Sequence, residues 1–327
     1  MKVAIYGAGA IGAHLGGMLA KSGVDVSLIA RGPHLQAIQQ NGLLMKFGDE
    51  NDILVHPKAT DDPASLGPQD FVIVTLKAHQ SPNVVDLMQP LLGPNTAIVT
   101  AMNGVPWWYF HRYGGDHEGR TLESVDPGRT QWDGLGPERA IGMVVHPAVE
   151  ITAPGVMQHV EGNAYQIGEP SGEKTERVML LSAALTKAGL RAPVSSKIRD
   201  DIWVKLWGNL CLNPISALTD TTLAGIGRDE GVRDLVFKLA AEGRAVGEAL
   251  GARFRFTADR RFTAAFEVGE HKTSMLQDLE RGRPLEIDAL VTAVTELGDI
   301  VNVSTPMLDA VLALIQLKAK NAGLYPA

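Results

Sequence analysis

Lys205, Asn209 and Asn213 recur at four-residue intervals in the run Ile198 to Pro214, which is nearly all apolar after Asp201. At about 100° per residue the two amides fall about 40° and about 80° round a helix from the lysine, interleaved with Ile202 and Leu206. An ammonium and two carboxamides buried without partners would cost several kcal/mol. The stripe is therefore expected to meet polar groups on a neighbouring element or on a ligand. The plainer alternative is a core helix whose lysine reaches solvent along its methylene stem.

A second set of residues opens the chain. The run Lys2-Val3-Ala4-Ile5-Tyr6 leads into Gly7-Ala8-Gly9-Ala10-Ile11-Gly12, and a helical pattern follows through Leu15, Leu19 and Ala20. Strand, tight turn and helix in that order suit a pyrophosphate. The first glycine makes the turn, the second admits the phosphate to the backbone, and the third lets helix and strand pack closely, with the helix N-terminus offered to the anion. The next strand-like run, Asp25 to Ala30, ends in Arg31 where an NAD-binding chain would carry a carboxylate for the ribose. A guanidinium there suits a 2′-phosphate, so NADP is expected over NAD; the alternative is an ordinary surface arginine. Asp25 is the rival acid, but it starts its strand and so lies at the wrong end of a sheet.

Two more strand ends carry polar groups. Phe71 to Leu76 is a continuous apolar run of the kind a central parallel strand shows, with Lys77 at its carboxyl end; Thr96 to Ala101 repeats the pattern and ends in Met102-Asn103-Gly104. Open α/β sheets bind ligands at such ends, although either residue could equally be an ordinary loop position. Farther on, Ser274 and Glu286 flank a chain break at Gly282 and Pro284, and could be aimed into one cleft or be solvated surface.

The elements that must position these residues divide in two. Strand-like runs alternate with helical patterns up to Ala192-Pro193-Val194-Ser195-Ser196, and everything later reads as helix. Gly42 to Pro57 reads as two short strands around Gly48-Asp49-Glu50-Asn51, Ala140 to Val145 as a strand, and Val156 to Val160 and Tyr165 to Ile167 as strands after a turn at Ala153-Pro154-Gly155. Helices are expected at 173–188, 228–250, 257–281 and 285–301, with a last one capped by Thr305-Pro306 and stopped near Gly323. The fold class expected is α/β: a Rossmann-type, doubly wound, mostly parallel sheet over residues 1–196, followed by an all-α domain over 197–327.

Composition limits the partners. A net charge of −7 argues against a nucleic-acid binder, which needs a basic face. One cysteine, Cys211, rules out an internal disulfide and suits a reducing compartment, and its apolar setting suits packing better than nucleophilic attack. His111, His117, His146 and His159 have no metal-ligand spacing, so no metal is expected. No apolar run is long enough to span a bilayer, and a strand-like start at Lys2 leaves no room for a secretory leader. The expectation is a cytoplasmic protein with a small-molecule ligand and no membrane partner.

Along almost its whole length the chain resembles the ketopantoate reductases (2-dehydropantoate 2-reductases), which pair an N-terminal Rossmann domain with a helical C-terminal one. The resemblance rests on Gly7-Ala8-Gly9-Ala10-Ile11-Gly12, Thr75-Leu76-Lys77, Asn103-Gly104, Trp203-Val204-Lys205-Leu206 with Asn209 and Asn213-Pro214, and Ser274 to Asp278 followed by Glu286. It implies that Lys205 donates a proton to the ketone oxygen as hydride arrives from NADPH, and that Glu286 positions the lysine and the substrate. It implies further that Asn209, Asn213 and Ser274 hold the hydroxyl and carboxylate of a 2-keto acid, that Lys77 and Asn103 lie near nicotinamide and substrate, and that Arg31 takes the 2′-phosphate. A homodimer is left open. The implied reaction is reduction of 2-dehydropantoate to (R)-pantoate, toward pantothenate and coenzyme A, with a non-catalytic dinucleotide sensor as the alternative of another class.

One stretch departs from the family. The connection from Val105 to Trp132, headed by Pro106-Trp107-Trp108-Tyr109-Phe110, is longer and more aromatic than expected after Asn-Gly. Its rings either line the substrate mouth, which would favour a larger or aromatic 2-keto acid, or anchor the loop or a subunit contact.

Overall fold

The computed structural model describes residues 1–48 and 51–326. The chain divides into two compact units, the first made of Met1–Met102, Pro106–Thr121 and Gly128–Ile198, the second of Asn103–Val105, Leu122–Pro127 and Arg199–Ala327. The short segments 103–105 and 122–127 thus join the helical unit, although they precede it in the chain.

The first unit is built on two sheets. Among the described residues its strands are β1 (Lys2–Tyr6), β2 (Asp25–Ile29), β3 (Leu43–Lys46), β4 (Ile53–Val55), β5 (Lys58–Thr60), β6 (Gln69–Val74), β7 (Leu92–Thr100), β8 (Ala140–Val145), β9 (Ala148–Ala153), β10 (Val156–Glu161) and β11 (Tyr165–Gly168). The larger sheet has the order β11-β8-β7-β6-β1-β2-β5. Its pairs are parallel except β11 with β8. Phe71 to Val74 and Ala97 to Val99 are buried, the reason those strands read as unbroken apolar runs instead of alternating ones.

The strand order reverses beside β1: β2 and β5 lie to one side, β6, β7 and β8 to the other. Such a reversal opens a crevice at the carboxyl ends of the central strands. Register brings those ends level, with Tyr6 opposite both Ile29 and Val74, and Val74 opposite Thr100. Gly7, Ala30, Thr75 and Ala101 consequently follow one another along a single rim.

The second sheet, β4-β3-β10-β9, is a grouping the strand pattern alone does not reveal. The pattern finds its hairpins, but β10 pairs with β3 in parallel across more than a hundred residues of chain, which local periodicity cannot register. Of the turn expected at Gly48-Asp49-Glu50-Asn51, Asp49 and Glu50 lie outside the described residues. The helix Ala10–Lys21 contributes buried His14, whose Nδ1 lies 2.6 Å from the Tyr165 hydroxyl. Burial, with His159 adding to it, holds that imidazole down at about 4, so it is neutral and fits an apolar interior at neutral pH.

The second unit is helical. Its first long helix, Ile198–Thr219, carries Pro214 in its interior. Trp203 and Trp207 stand one turn apart and are buried; both meet the Phe254 ring edge-on, Trp207 at 4.9 Å, and Trp207 also packs on Phe262. The Trp207 indole nitrogen donates to the Ala240 carbonyl at 2.8 Å, tying this face to the helix Glu230–Ala249. Lys205 lies two residues from each tryptophan, about 160° round the axis, so the ring contacts turn it to the other side.

Two helix expectations need correction. The run 257–281 is two helices, Ala258–Phe266 and Ser274–Glu280, each started by a threonine whose hydroxyl accepts from the backbone, Thr257 and Thr273. Gly269 between them has φ of 96°, which a continuing α-helix cannot accommodate. The helix expected from Leu285 is a π-turn over Asp288–Thr292 running into α-helix Ala293–Ile300, and Glu286 stands just before its first helical residue.

Candidate active site

The glycine turn has the geometry of an anion cradle. Gly7 has φ of 108°, and its amide and that of Ala8 both donate to the Ile29 carbonyl, at 3.2 and 3.0 Å. The Thr75 hydroxyl pins the Gly7 carbonyl from the neighbouring strand at 2.5 Å. A side chain on Gly12 would collide with that same carbonyl and with Thr75. A Cβ on Gly9, by contrast, would meet nothing within 4 Å. The space in front of Gly9 is therefore open, and it lies at the N-terminus of Ala10–Lys21, which has no acidic residue in its first turn. The first amides of a helix have no partner within it, so the turn fits a dinucleotide pyrophosphate.

Arg31 caps the start of the helix Gly32–Asn41, directly after β2, and its side chain is exposed. Its charge reaches Tyr6: burial raises that phenol, and the guanidinium pulls the other way. Lys77, half-buried, begins the short turn Ala78–Gln80, with its amide donating to the Gln80 side chain at 3.3 Å. Arg31, Lys77 and the glycine turn thus belong to one rim of the first unit.

The second unit gathers the other set. Lys205 is half-buried, and burial pulls its ammonium down to about 8 against the opposing field of the Glu286 carboxylate. Asn103 donates through Nδ2 to Glu286 Oε2 at 3.3 Å, although 183 residues separate the two in sequence. What holds Asn103 there is the backbone beside it. The Val105 amide donates to the Ala289 carbonyl at 2.9 Å, and Gly104, with φ of 89°, passes so close that any side chain would strike the Ala289 backbone. Buried Asn213 reaches the exposed Ser274 hydroxyl at 3.5 Å, the outer limit for such a bond. The carboxamide of Asn209, one turn after Lys205, makes no hydrogen bond with the described residues, leaving it available to a ligand. An ammonium, a carboxylate and several amides therefore share one unit.

Sequence reasoning overlooked two contacts in this unit. Glu296 accepts from the Glu123 and Ser124 amides and the Ser124 hydroxyl at 2.8, 3.0 and 2.6 Å, fastening segment 122–127 to Ala293–Ile300. Asp288 and Tyr325 join across the π-turn. No local pattern marks a π-turn, whereas Gly104 was visible as a glycine without its reason. The aromatic cluster at the head of the long connection, in turn, lies in the first unit: Trp107, Trp108, Tyr109 and Phe110 are buried, and Trp108 donates to Thr100 Oγ1 at 2.8 Å. Its rings anchor their own loop.

Among the described residues no cluster of His, Cys, Asp or Glu could hold a metal, and no helix is long and apolar enough to cross a membrane. Cys211 is buried, which pushes its thiol up and keeps it protonated.

Comparison with known proteins agrees with this fold. The family model for ketopantoate reductase PanE/ApbA matches residues 3–172, and its C-terminal counterpart matches 197–319. A 2-dehydropantoate 2-reductase of Mesorhizobium japonicum is 55% identical over 99% of this chain and 100% of its own. A chain assigned as a ketopantoate reductase from Ralstonia solanacearum superposes with a TM-score of 0.93 at 40% identity, covering 99% of both chains. D-mandelate dehydrogenase, solved with NADH and anilino(oxo)acetate, shares the fold at a TM-score of 0.84 and 22% identity, covering 99% of this chain and all of its own. With both halves matched by the same family and a full-length relative at 55% identity, the chain belongs to the ketopantoate reductase family and is an oxidoreductase.

Proposed function

We propose that the protein reduces 2-dehydropantoate to (R)-pantoate with NADPH, and that Lys205 is the proton donor. The observation that carries this reading is the half-buried Lys205, its ammonium under the field of Glu286 and one turn from the Asn209 carboxamide, which has no hydrogen bond among the described residues. The full-length likeness to a 2-dehydropantoate 2-reductase supports the substrate. We assign residues 1–196 to dinucleotide binding and 197–327 to substrate binding, in a cytoplasmic enzyme of pantothenate and coenzyme A formation.

When bound, a nicotinamide dinucleotide would supply hydride. Gly7 to Gly12 would hold its pyrophosphate through the turn and the helix N-terminus, and Lys77 and Asn103 would serve its reactive end. When the carbonyl carbon gains hydride, charge grows on the oxygen, and Lys205 both stabilises that charge and gives up a proton to it. A lysine near 8 yields its proton more readily than an exposed one, while remaining charged at neutral pH. Glu286 orients the ammonium, and Asn209, Asn213 and Ser274 take the substrate hydroxyl and carboxylate. The buried aromatic segment lends no support to a larger substrate, since its rings are engaged within their own unit.

Consumption of NADPH with 2-dehydropantoate, against a panel of other 2-keto acids, tests the substrate; comparable turnover of an aromatic 2-keto acid would displace this reading. Arg31→Ala tests the cofactor. Loss of a charge-assisted phosphate contact, roughly 1.5–3 kcal/mol, is expected to raise KM for NADPH about tenfold or more and leave KM for NADH unchanged. Equal effects on both would show that Arg31 does not read the 2′-phosphate.

A further inference from the structure

We propose that Tyr325 is a positioning residue for the proton-donor site: by holding Asp288 in the π-turn it sets where Glu286 stands relative to Lys205. The inference rests on the reading of Lys205 as the donor. Glu286 sits between two contacts made by the segment after the last helix, Pro306–Asn321. On one side the Leu285 amide donates to the Leu324 carbonyl at 3.3 Å. On the other the Tyr325 hydroxyl donates to Asp288 Oδ1 at 2.5 Å, and Thr292 donates to the same oxygen at 3.0 Å. Gln316 completes the chain by donating to the Tyr325 oxygen at 3.2 Å.

A π-turn is a rare backbone state, frequent at functional sites, and needs outside contacts to persist. Here those contacts come from Tyr325 and its neighbours. Residues 285 and 288 are both tied to the same outside segment, so the intervening Glu286 has little freedom to move. Burial and Asp288 push the Tyr325 phenol up, so it remains a donor across the working range. The Asp288 carboxylate bears on Tyr325, and the Glu286 carboxylate bears on Lys205. The link from Tyr325 to the proton donor runs through the placement of Glu286.

Tyr325→Phe keeps the ring and removes the donor. A less firmly held Glu286 supports the ammonium less, so the pH at which kcat/KM for reduction breaks is expected to fall by about half a pH unit or more. Glu286→Gln should lower the break by itself, and adding Tyr325→Phe to it should move the break no further. Titration of the Lys205 ε-carbon by 13C NMR reads the same shift without turnover. A break near its original pH in Tyr325→Phe, or an undiminished further shift in the double variant, overturns the inference. Absence of any break in the unaltered enzyme would instead strike the reading of Lys205 and take this inference with it.

Discussion

Lys205→Ala is expected to lower kcat for reduction by about a hundredfold or more, while NADPH binds nearly as it does to the unaltered enzyme. The substitution removes the proton and the charge that meets the forming alkoxide. It leaves the glycine turn and Arg31, which belong to the other unit, untouched. Rapid-mixing turnover and dinucleotide binding by fluorescence separate the two effects. Full activity in the variant would mean that another group delivers the proton. Full binding with no turnover even in the unaltered protein would favour a dinucleotide sensor.

Trp108→Ala should cost about 3–5 kcal/mol of stability, the range for emptying a large aromatic from a core. Trp108 is fully buried, bonded to Thr100, and its ring edge lies against the site where a side chain on Gly142 would project. The loss leaves a cavity and an indole partner without its donor. Urea denaturation measures it, and KM for 2-dehydropantoate in the folded variant is expected to be unchanged. A stable variant with an altered substrate range would restore the rings to the substrate mouth.

How far the sequence could be read depends on whether a feature is local. The glycine turn, the apolar runs Phe71 to Val74 and Thr96 to Thr100, and the stripe Lys205, Asn209, Asn213 are all visible, because strand and helix periods display them directly. The second sheet is not, since β3 and β10 meet only through the fold. The long helix expected over 257–281 failed at Gly269, where one positive φ outweighed an amphipathic pattern. At the candidate site, Asn103 and Glu286 could each be singled out by type, but their hydrogen bond depends on the Gly104 approach to Ala289. Asp288 and Tyr325 offered no sequence signal, because a π-turn has no period of its own to recognise.

The ammonium of Lys205 is what the account depends on, and its titration is visible in the rate. Burial lowers the folded value to about 8, so the charged donor is present below that pH and disappears above it. The most direct measurement is kcat/KM for NADPH-driven reduction of 2-dehydropantoate from mildly acid to strongly alkaline pH. It should be level below about 8 and then fall about tenfold per pH unit, while the reverse oxidation, which needs the free amine, rises up to the same pH and levels off. A reduction rate that stays level through that region and declines only near the value of an exposed lysine would contradict it.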